Sequence, residues 1–252
     1  MPGKTSFRRP ARSVNVPPRL SNLGRINTLA PSAQHLARAL LHEPLPRRWA
    51  HVHGVAARAR SLAAVLDADA DLLEAAAWLH DIGYAPGLAT TGLHQLDGAL
   101  YLRDAQHADA MLCRLVAHHS CAITEAGERG LADVLSYEFD PAPYVLASVL
   151  TCCDMTTSPA GEPIPVDRRL AEIHSRYGPG HLVSRSIWRA TPMILRAVEQ
   201  VHDRAAQTAS LPQPDEGAWL DDLGRGWPWL EPGPTGSRNG SPTLFDRFEL
   251  FL

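Results

Sequence analysis

Several apolar helical stretches of this chain end in histidine or aspartate, and both side-chain types bind divalent metals. The clearest case is His80-Asp81, which follows the apolar run at residues 75–79 and precedes Gly83. A charged group at the end of a buried helix is costly unless it is paired or coordinates a metal. Imidazole and carboxylate groups are common metal ligands, so this pair predicts a metal site.

A second His-Asp pair, His202-Asp203, serves as an internal comparison. It lies in the polar helical stretch at residues 199–206, and no histidine follows it. We interpret it as part of a solvated helix face. The metal prediction for His80-Asp81 therefore depends on the residues that accompany that pair.

Four further side chains have positions that suit metal ligands. His51 lies at the edge of an apolar helix face, and His94 opens a helix. His119 follows apolar residues at helical spacing and faces inward, and Asp154 continues a buried stripe at i+4 steps. Each has an ordinary alternative, since an inward histidine is often a hydrogen-bonded core residue and Asp154 could pair with an arginine. Together they predict one metal site with six ligands: His51, His80, Asp81, His94, His119 and Asp154.

The elements that must hold these residues are predicted to be helices. Ala and Leu dominate and runs of β-branched residues are scarce, which favours an all-α fold. We predict a helical domain at residues 31–208, between a disordered basic arm at 1–30 and a Pro/Gly/Trp-rich tail at 209–252 that ends in a short helix. Within the domain, the helices are predicted at about residues 31–43, 46–66, 69–81, 93–104, 108–119, 122–139, 143–157, 166–177 and 181–207.

Composition narrows the classes of partner. The net charge is −3, so no overall signal for nucleic-acid binding is present. There is no run of 18 apolar residues, and we expect no membrane contact. The four cysteines form no CxxC pair, which predicts reduced thiols in a cytoplasmic protein. Nothing in the sequence indicates an oligomeric state.

The ordered set of histidines and aspartates resembles the HD superfamily of metal-dependent phosphohydrolases. The stretches that carry the resemblance lie at residues 48–56, 76–83, 94–99, 116–120 and 150–155. The resemblance implies an all-α HD-domain bundle with the metal site at its centre. It further implies one metal on His51, His80, Asp81 and Asp154, and a second on His94 and His119, with Asp81 bridging the two.

One subgroup of the superfamily is particularly similar, the bacterial HD hydrolases that split diadenosine tetraphosphate. They share Arg48 before the first histidine and the spacing from His94 to Gly98-Ala99. The chain departs from the wider pattern at Tyr84, where many members have Lys or Arg. That departure leaves one expected phosphate contact without its usual residue.

These ligands predict hydrolysis of a phosphomonoester or phosphoanhydride in a nucleotide-like small molecule by a metal-bound hydroxide. One or two divalent ions are expected, from Mn, Fe, Zn, Ni or Mg. Asp81 is the central catalytic residue, Arg48 is expected to hold a phosphate, and His118 is a candidate proton donor to the leaving group. Substrate specificity is expected from residues 84–92 and 158–166 and from the later helices.

Two alternatives use the same residues. HD-fold di-iron oxygenases have the same six-ligand pattern and activate O₂. A metal-stabilised binding module without turnover would also retain the ligands. Metal content and activity distinguish the three.

Overall fold

The computed structural model describes residues 29–66 and 70–210, and helices connected by short turns make up most of this part of the chain. The all-α fold predicted from the sequence is confirmed. Within the described residues there is no β-strand, only an isolated bridge between Thr157 and Pro163. The predicted basic arm and the terminal helix lie outside the described residues. No described helix combines the length and the apolar character needed to span a membrane.

The described residues contain ten α-helices and two 3₁₀ turns, and most bounds agree with the periodicity of the sequence. The 3₁₀ turns are Ile82–Tyr84 and His119–Cys121. The helices are α1 Leu29–Leu41, α2 Pro46–Leu66, α3 Ala70–Leu79, α4 His94–Asp104, α5 Ala110–His118, α6 Ala122–Arg129, α7 Ala132–Glu138, α8 Tyr144–Met155, α9 Val166–Tyr177 and α10 Leu182–Ser210.

One predicted helix is wrong, because residues 122–139 form two helices. Gly130 ends α6 with a positive φ of 70°, and its N–H donates to the carbonyls of Ala126 and Gly127. Leu131 also donates its N–H to the carbonyl of Ala126, at 2.8 Å. A glycine in the left-handed region with such hydrogen bonds is a common way to end a helix, and α7 then starts in a new direction.

The main apolar core lies between α1, α2, α3, α4, α5 and α8, with part of α10 packed against it. It surrounds the ends of α3, α5 and α8, where the predicted ligands are. A second, smaller apolar cluster attaches α9 and α10 beside the end of α8, and its buried members are Met155, Leu170, Ile173, Ala190 and Ile194. The second cluster therefore sets the position of α9 next to Asp154.

Candidate metal centre

The six side chains that the sequence predicted as ligands meet in one buried cluster. They come from α2, the residues that follow α3, the start of α4, the residue after α5 and the end of α8. All six are buried. Their nitrogen and oxygen atoms form three overlapping groups whose members lie within 4.8 Å of one another: His51-His80-Asp81, His80-His119-Asp154 and Asp81-His94-His119.

Asp81 is the centre of the cluster, and its two carboxylate oxygens face different histidines. Oδ1 lies 3.2 Å from Nε2 of His94 and 3.8 Å from Nε2 of His119. Oδ2 lies 3.4 Å from Nε2 of His80 and 3.8 Å from Nε2 of His51. The carboxylate thus separates two pairs of imidazoles, one on each oxygen.

Asp154 completes the side of the cluster that contains His51 and His80. Its Oδ1 lies 2.9 Å from Nε2 of His51 and 4.0 Å from Nε2 of His80. Its other oxygen, Oδ2, accepts a hydrogen bond from the hydroxyl of Ser120. The His51 side therefore has two imidazoles and two carboxylates, whereas the His94 side has two imidazoles and one carboxylate oxygen.

Backbone carbonyls fix the orientation of three of the histidine rings. Nδ1 of His51 donates to the carbonyl of Ser158 at 3.0 Å, and Nδ1 of His80 donates to Ala77 at 2.8 Å. Nδ1 of His119 donates to Val116 at 2.7 Å. A carbonyl only accepts, so Nδ1 carries the proton in each ring and the Nε2 lone pair of the neutral ring points into the cluster.

The hydrogen bonds inside the cluster leave one buried ring nitrogen without a partner among the described residues. Nε2 of His94 and Nε2 of His119 face each other at 3.2 Å. Nε2 of His80 is buried and makes no hydrogen bond of normal geometry within the described part of the chain. A buried ring nitrogen without a hydrogen-bond partner, among carboxylates and further imidazoles, is unfavourable unless a cation lies among these atoms. The donor set, neutral imidazoles with carboxylates, fits a divalent transition metal.

The pKa shifts of the buried ligands are consistent with binding of a divalent metal ion. Burial by itself raises the pKa of Asp81, but Arg48 and then His80 lower it well below its ordinary value. Burial likewise opposes ionisation of Asp154, but the hydrogen bond with His51 and the charge of His80 lower its pKa. Burial, and after it the charges of His80 and His94, lowers the pKa of His119 to about 3, so this ring is neutral at pH 7.

The pKa of His80 indicates that the cluster favours a positive charge. Burial lowers its pKa, but Asp81 and then Asp154 outweigh burial, so the pKa lies above the ordinary value. The two buried carboxylates therefore favour a positive charge between them. A metal ion at this position competes with the proton for the same nitrogen.

Two glycines allow backbone segments to approach closely enough to place His51 and His94. A Cβ added at Gly83 would lie 1.9 Å from the carbonyl oxygen of His94, so the turn after α3 touches the start of α4. A Cβ added at Gly54 would lie 2.2 Å from the carbonyl oxygen of Gly161. The second contact holds residues 158–162 against α2, where Ser158 orients His51.

The turn between α5 and α6 places His119 and Ser120. Ser120 and Cys121 both have positive φ, 48° and 60°, which is unfavourable for residues other than glycine. The turn directs His119 into the cluster and the hydroxyl of Ser120 to Asp154. Such strained residues are often found at functional sites. No sequence pattern pointed to Ser120, because its role depends on the left-handed backbone.

Arg48 lies beside the metal cluster and contacts Asp81. Its Nη1 donates to Oδ2 of Asp81 at 2.5 Å. Its guanidinium also lies over the ring of Tyr84, 4.1 Å from the ring centroid, and Tyr84 stacks on His94 at 4.0 Å. Tyr84, the residue at which the chain departs from the expected pattern, therefore supports Arg48 and His94.

His118 is not part of the cluster. Its Nε2 lies 2.9 Å from the carbonyl of Phe139 and donates to it, which directs the ring toward the end of α7. The proton-donor role remains a prediction that this geometry does not support. In the comparison pair, Asp203 is exposed on α10 as predicted, but His202 is half-buried, so the prediction of a solvated face is wrong for His202; neither residue belongs to the cluster.

Residues 48–156 match the family model for the HD domain. The match includes all six residues of the buried cluster, and the cluster fits an HD-type metal site. This part of the chain is therefore an HD domain, and the resemblance seen in the sequence is confirmed. HD domains belong mostly to metal-dependent hydrolases.

Helices α9 and α10 lie beyond the matched residues. Searches of curated proteins and of solved structures found no significant match to this chain.

Proposed function

We propose that the buried cluster binds two divalent metal ions and that the protein is a metal-dependent phosphohydrolase. The observation that carries the proposal is the arrangement around Asp81, whose two oxygens face two separate pairs of imidazoles. His51, His80 and Asp154 would hold one ion, and His94 and His119 the other. Asp81 would bridge them.

The chemistry available at such a site is hydrolysis of a phosphate ester or anhydride. Divalent ions held there would acidify water and neutralise negative charge on phosphoryl oxygens. The products are a phosphate and the group that leaves with the bridging oxygen. We propose a nucleotide-like phosphorylated small molecule as the substrate.

The protein's own residues prepare the cluster for this reaction. The carbonyls of Ser158, Ala77 and Val116 hold three imidazoles in the tautomer that a metal requires. Arg48 donates a hydrogen bond to Asp81 and is the nearest arginine charge to this carboxylate. If a metal ion balanced the charge of Asp81, the guanidinium of Arg48 could instead bind a phosphoryl oxygen in a fork geometry.

The test combines metal analysis with an assay on one sample. The protein is purified without chelator, its metal content is measured, and it is assayed with bis(p-nitrophenyl) phosphate and a nucleotide panel in added Mn²⁺. Asp81→Ala should lose metal and nearly all activity, because both halves of the cluster lose a ligand. Asp203→Ala, in the other His-Asp pair, is the matched control and should retain both.

The outcomes separate the three functions. About two metals per chain with turnover that depends on Asp81 supports the hydrolase. Iron with O₂ uptake and without hydrolysis supports the oxygenase. Metal without any turnover supports the binding module, and full activity in Asp81→Ala refutes the proposed centre.

A further inference from the structure

Helix α9 brings two arginines to the opening of the metal centre. A cavity beside Asp81 and Asp154 also has Arg48, Arg169 and Arg176 in its lining, the last two from α9. We propose that Arg169 and Arg176 form a binding subsite for a second phosphate group of the substrate, next to the group that is hydrolysed. The proposal rests on the proposed function and specifies the substrate as a phosphoanhydride.

A second cavity adjoins the first on its outer side. Its lining consists of Arg47, Arg48, His51, Pro159, Arg169 and Arg176. The two cavities share Arg48, Arg169 and Arg176. A ligand that extends from the first cavity into the second therefore contacts these arginines.

Arg169 is an unusual residue for a merely structural role. It is only 6% exposed, and its Nε is buried without a hydrogen-bond partner in the described part of the chain. Its Nη1 donates to Glu172. Burying a guanidinium is costly unless its donors are satisfied, so one edge of the guanidinium remains suited to an anion.

The charges around the outer cavity favour an anion. Its lining includes four arginines and no carboxylate. Glu172 is shared, because it accepts from both Arg169 and Arg176, so one carboxylate balances two guanidinium groups. Arg47 is exposed and forms no ion pair among the described residues. The planar fork of arginine matches the oxygens of a phosphate.

The position of the subsite next to the metal ligands limits which phosphate compounds could bind there. Arg48 contacts Asp81 and also lines the outer cavity, so the subsite directly adjoins the cluster. A phosphomonoester with a single phosphate would leave the two α9 arginines sharing the one carboxylate of Glu172. A di- or polyphosphate would place the phosphate that is hydrolysed at the cluster and the next phosphate between Arg169 and Arg176.

The experiment measures the binding of inorganic phosphate and inorganic pyrophosphate to the metal-loaded full chain by titration calorimetry. The principal variant is Arg176→Gln, because this exposed side chain can be replaced without disturbing the core. Arg168→Gln is the matched control, because Arg168 is an exposed arginine on the same helix and lines neither cavity. Pyrophosphate itself chelates metal equally in every sample, so affinities are compared between variants.

Arg176→Gln should weaken pyrophosphate binding roughly 10- to 100-fold, which is the loss expected for one charge-assisted hydrogen bond. Phosphate binding should change little, because a single phosphate binds at the cluster. Arg168→Gln should match the original protein for both ligands. Equal, small effects of Arg176→Gln and Arg168→Gln on pyrophosphate would overturn the proposal.

Glu172→Gln separates a ligand-binding role from a structural one. If the arginines and Glu172 only stabilise α9, this variant should weaken pyrophosphate binding as Arg176→Gln does, and that result refutes the subsite. If the arginines bind the anion, the variant releases both guanidinium groups and pyrophosphate affinity should hold or rise. Pyrophosphate binding that depends on Arg176 in a protein without hydrolytic activity would refute the proposed hydrolysis and retain the subsite.

Discussion

Replacing Gly54 with alanine should weaken metal binding, although Gly54 lies outside the cluster. The Cβ of an alanine would lie 2.2 Å from the carbonyl oxygen of Gly161 and 2.7 Å from its Cα, and both are backbone atoms that cannot rotate away. Ordinary contacts of a Cβ begin near 3.4 Å, so residues 158–162 must move away from α2 by about 1 Å.

Movement of residues 158–162 would affect His51 through the carbonyl of Ser158, which accepts the hydrogen bond from Nδ1 of His51. Residues 158–162 form a tight turn, in which Ser158 donates its N–H to Glu162 at 2.7 Å and Gly161 donates to Ser158 at 2.9 Å. The turn therefore shifts as a unit. The Nδ1 of His51 donates to Ser158 at 3.0 Å, and a shift of about 1 Å breaks this bond.

The expected loss of metal affinity follows from the role of groups that orient a ligating histidine. Removing the group that orients a ligating histidine commonly costs about 10- to 100-fold in metal affinity. Replacing glycine with alanine inside α2 also stabilises the helix by about 0.5–1 kcal/mol. The free energy of unfolding of the metal-free protein should therefore fall only modestly, by the cost of the displaced turn less this gain.

The assay titrates each metal-loaded protein with a competing chelator and follows urea unfolding of the metal-free protein. Gly127→Ala is the control, because Gly127 is an exposed residue of α6 and a Cβ there would meet nothing within 4 Å. It should keep its metal affinity and gain up to about 1 kcal/mol of stability. Metal affinity in Gly54→Ala within twofold of Gly127→Ala would show that the turn does not hold His51.

Two further perturbations test the parts of the fold around the site. Asp97 is buried and accepts hydrogen bonds from Thr90 and Thr91, so Asp97→Ala should reduce the free energy of unfolding by roughly 2–4 kcal/mol, because those donors lose their partner; an unchanged urea midpoint would contradict this. Burial, and after it the charge of Arg58, lowers the pKa of His202 below its ordinary 6.5. The unfolded chain then binds the proton more readily, so stability should fall as the pH drops below about 6.5. His202→Gln should lose part of that fall between pH 7 and 5 in thermal unfolding, and an identical pH profile would refute this linkage.

The sequence determined the composition of the candidate site and most of the fold. Helix bounds follow from the local repeat of apolar residues, which explains why α2 and α9 agree with their predicted limits. The inward direction of Asp154 follows from the same repeat, whereas His119 lies just after the end of α5, where the turn before α6 directs it into the cluster. The break at Gly130 also has a local cause, since a glycine after a helical segment commonly ends it, although the apolar repeat alone predicts one continuous helix.

Only the tertiary structure decided how those residues meet. The hydrogen bond from His51 to Ser158 joins residues 107 positions apart, and the contact between His51 and Asp154 joins residues 103 positions apart. The division of the histidines between the two oxygens of Asp81 depends on how five segments pack around one carboxylate. Helical periodicity fixes the face on which a side chain lies, but it carries no information about which distant segment packs against that face.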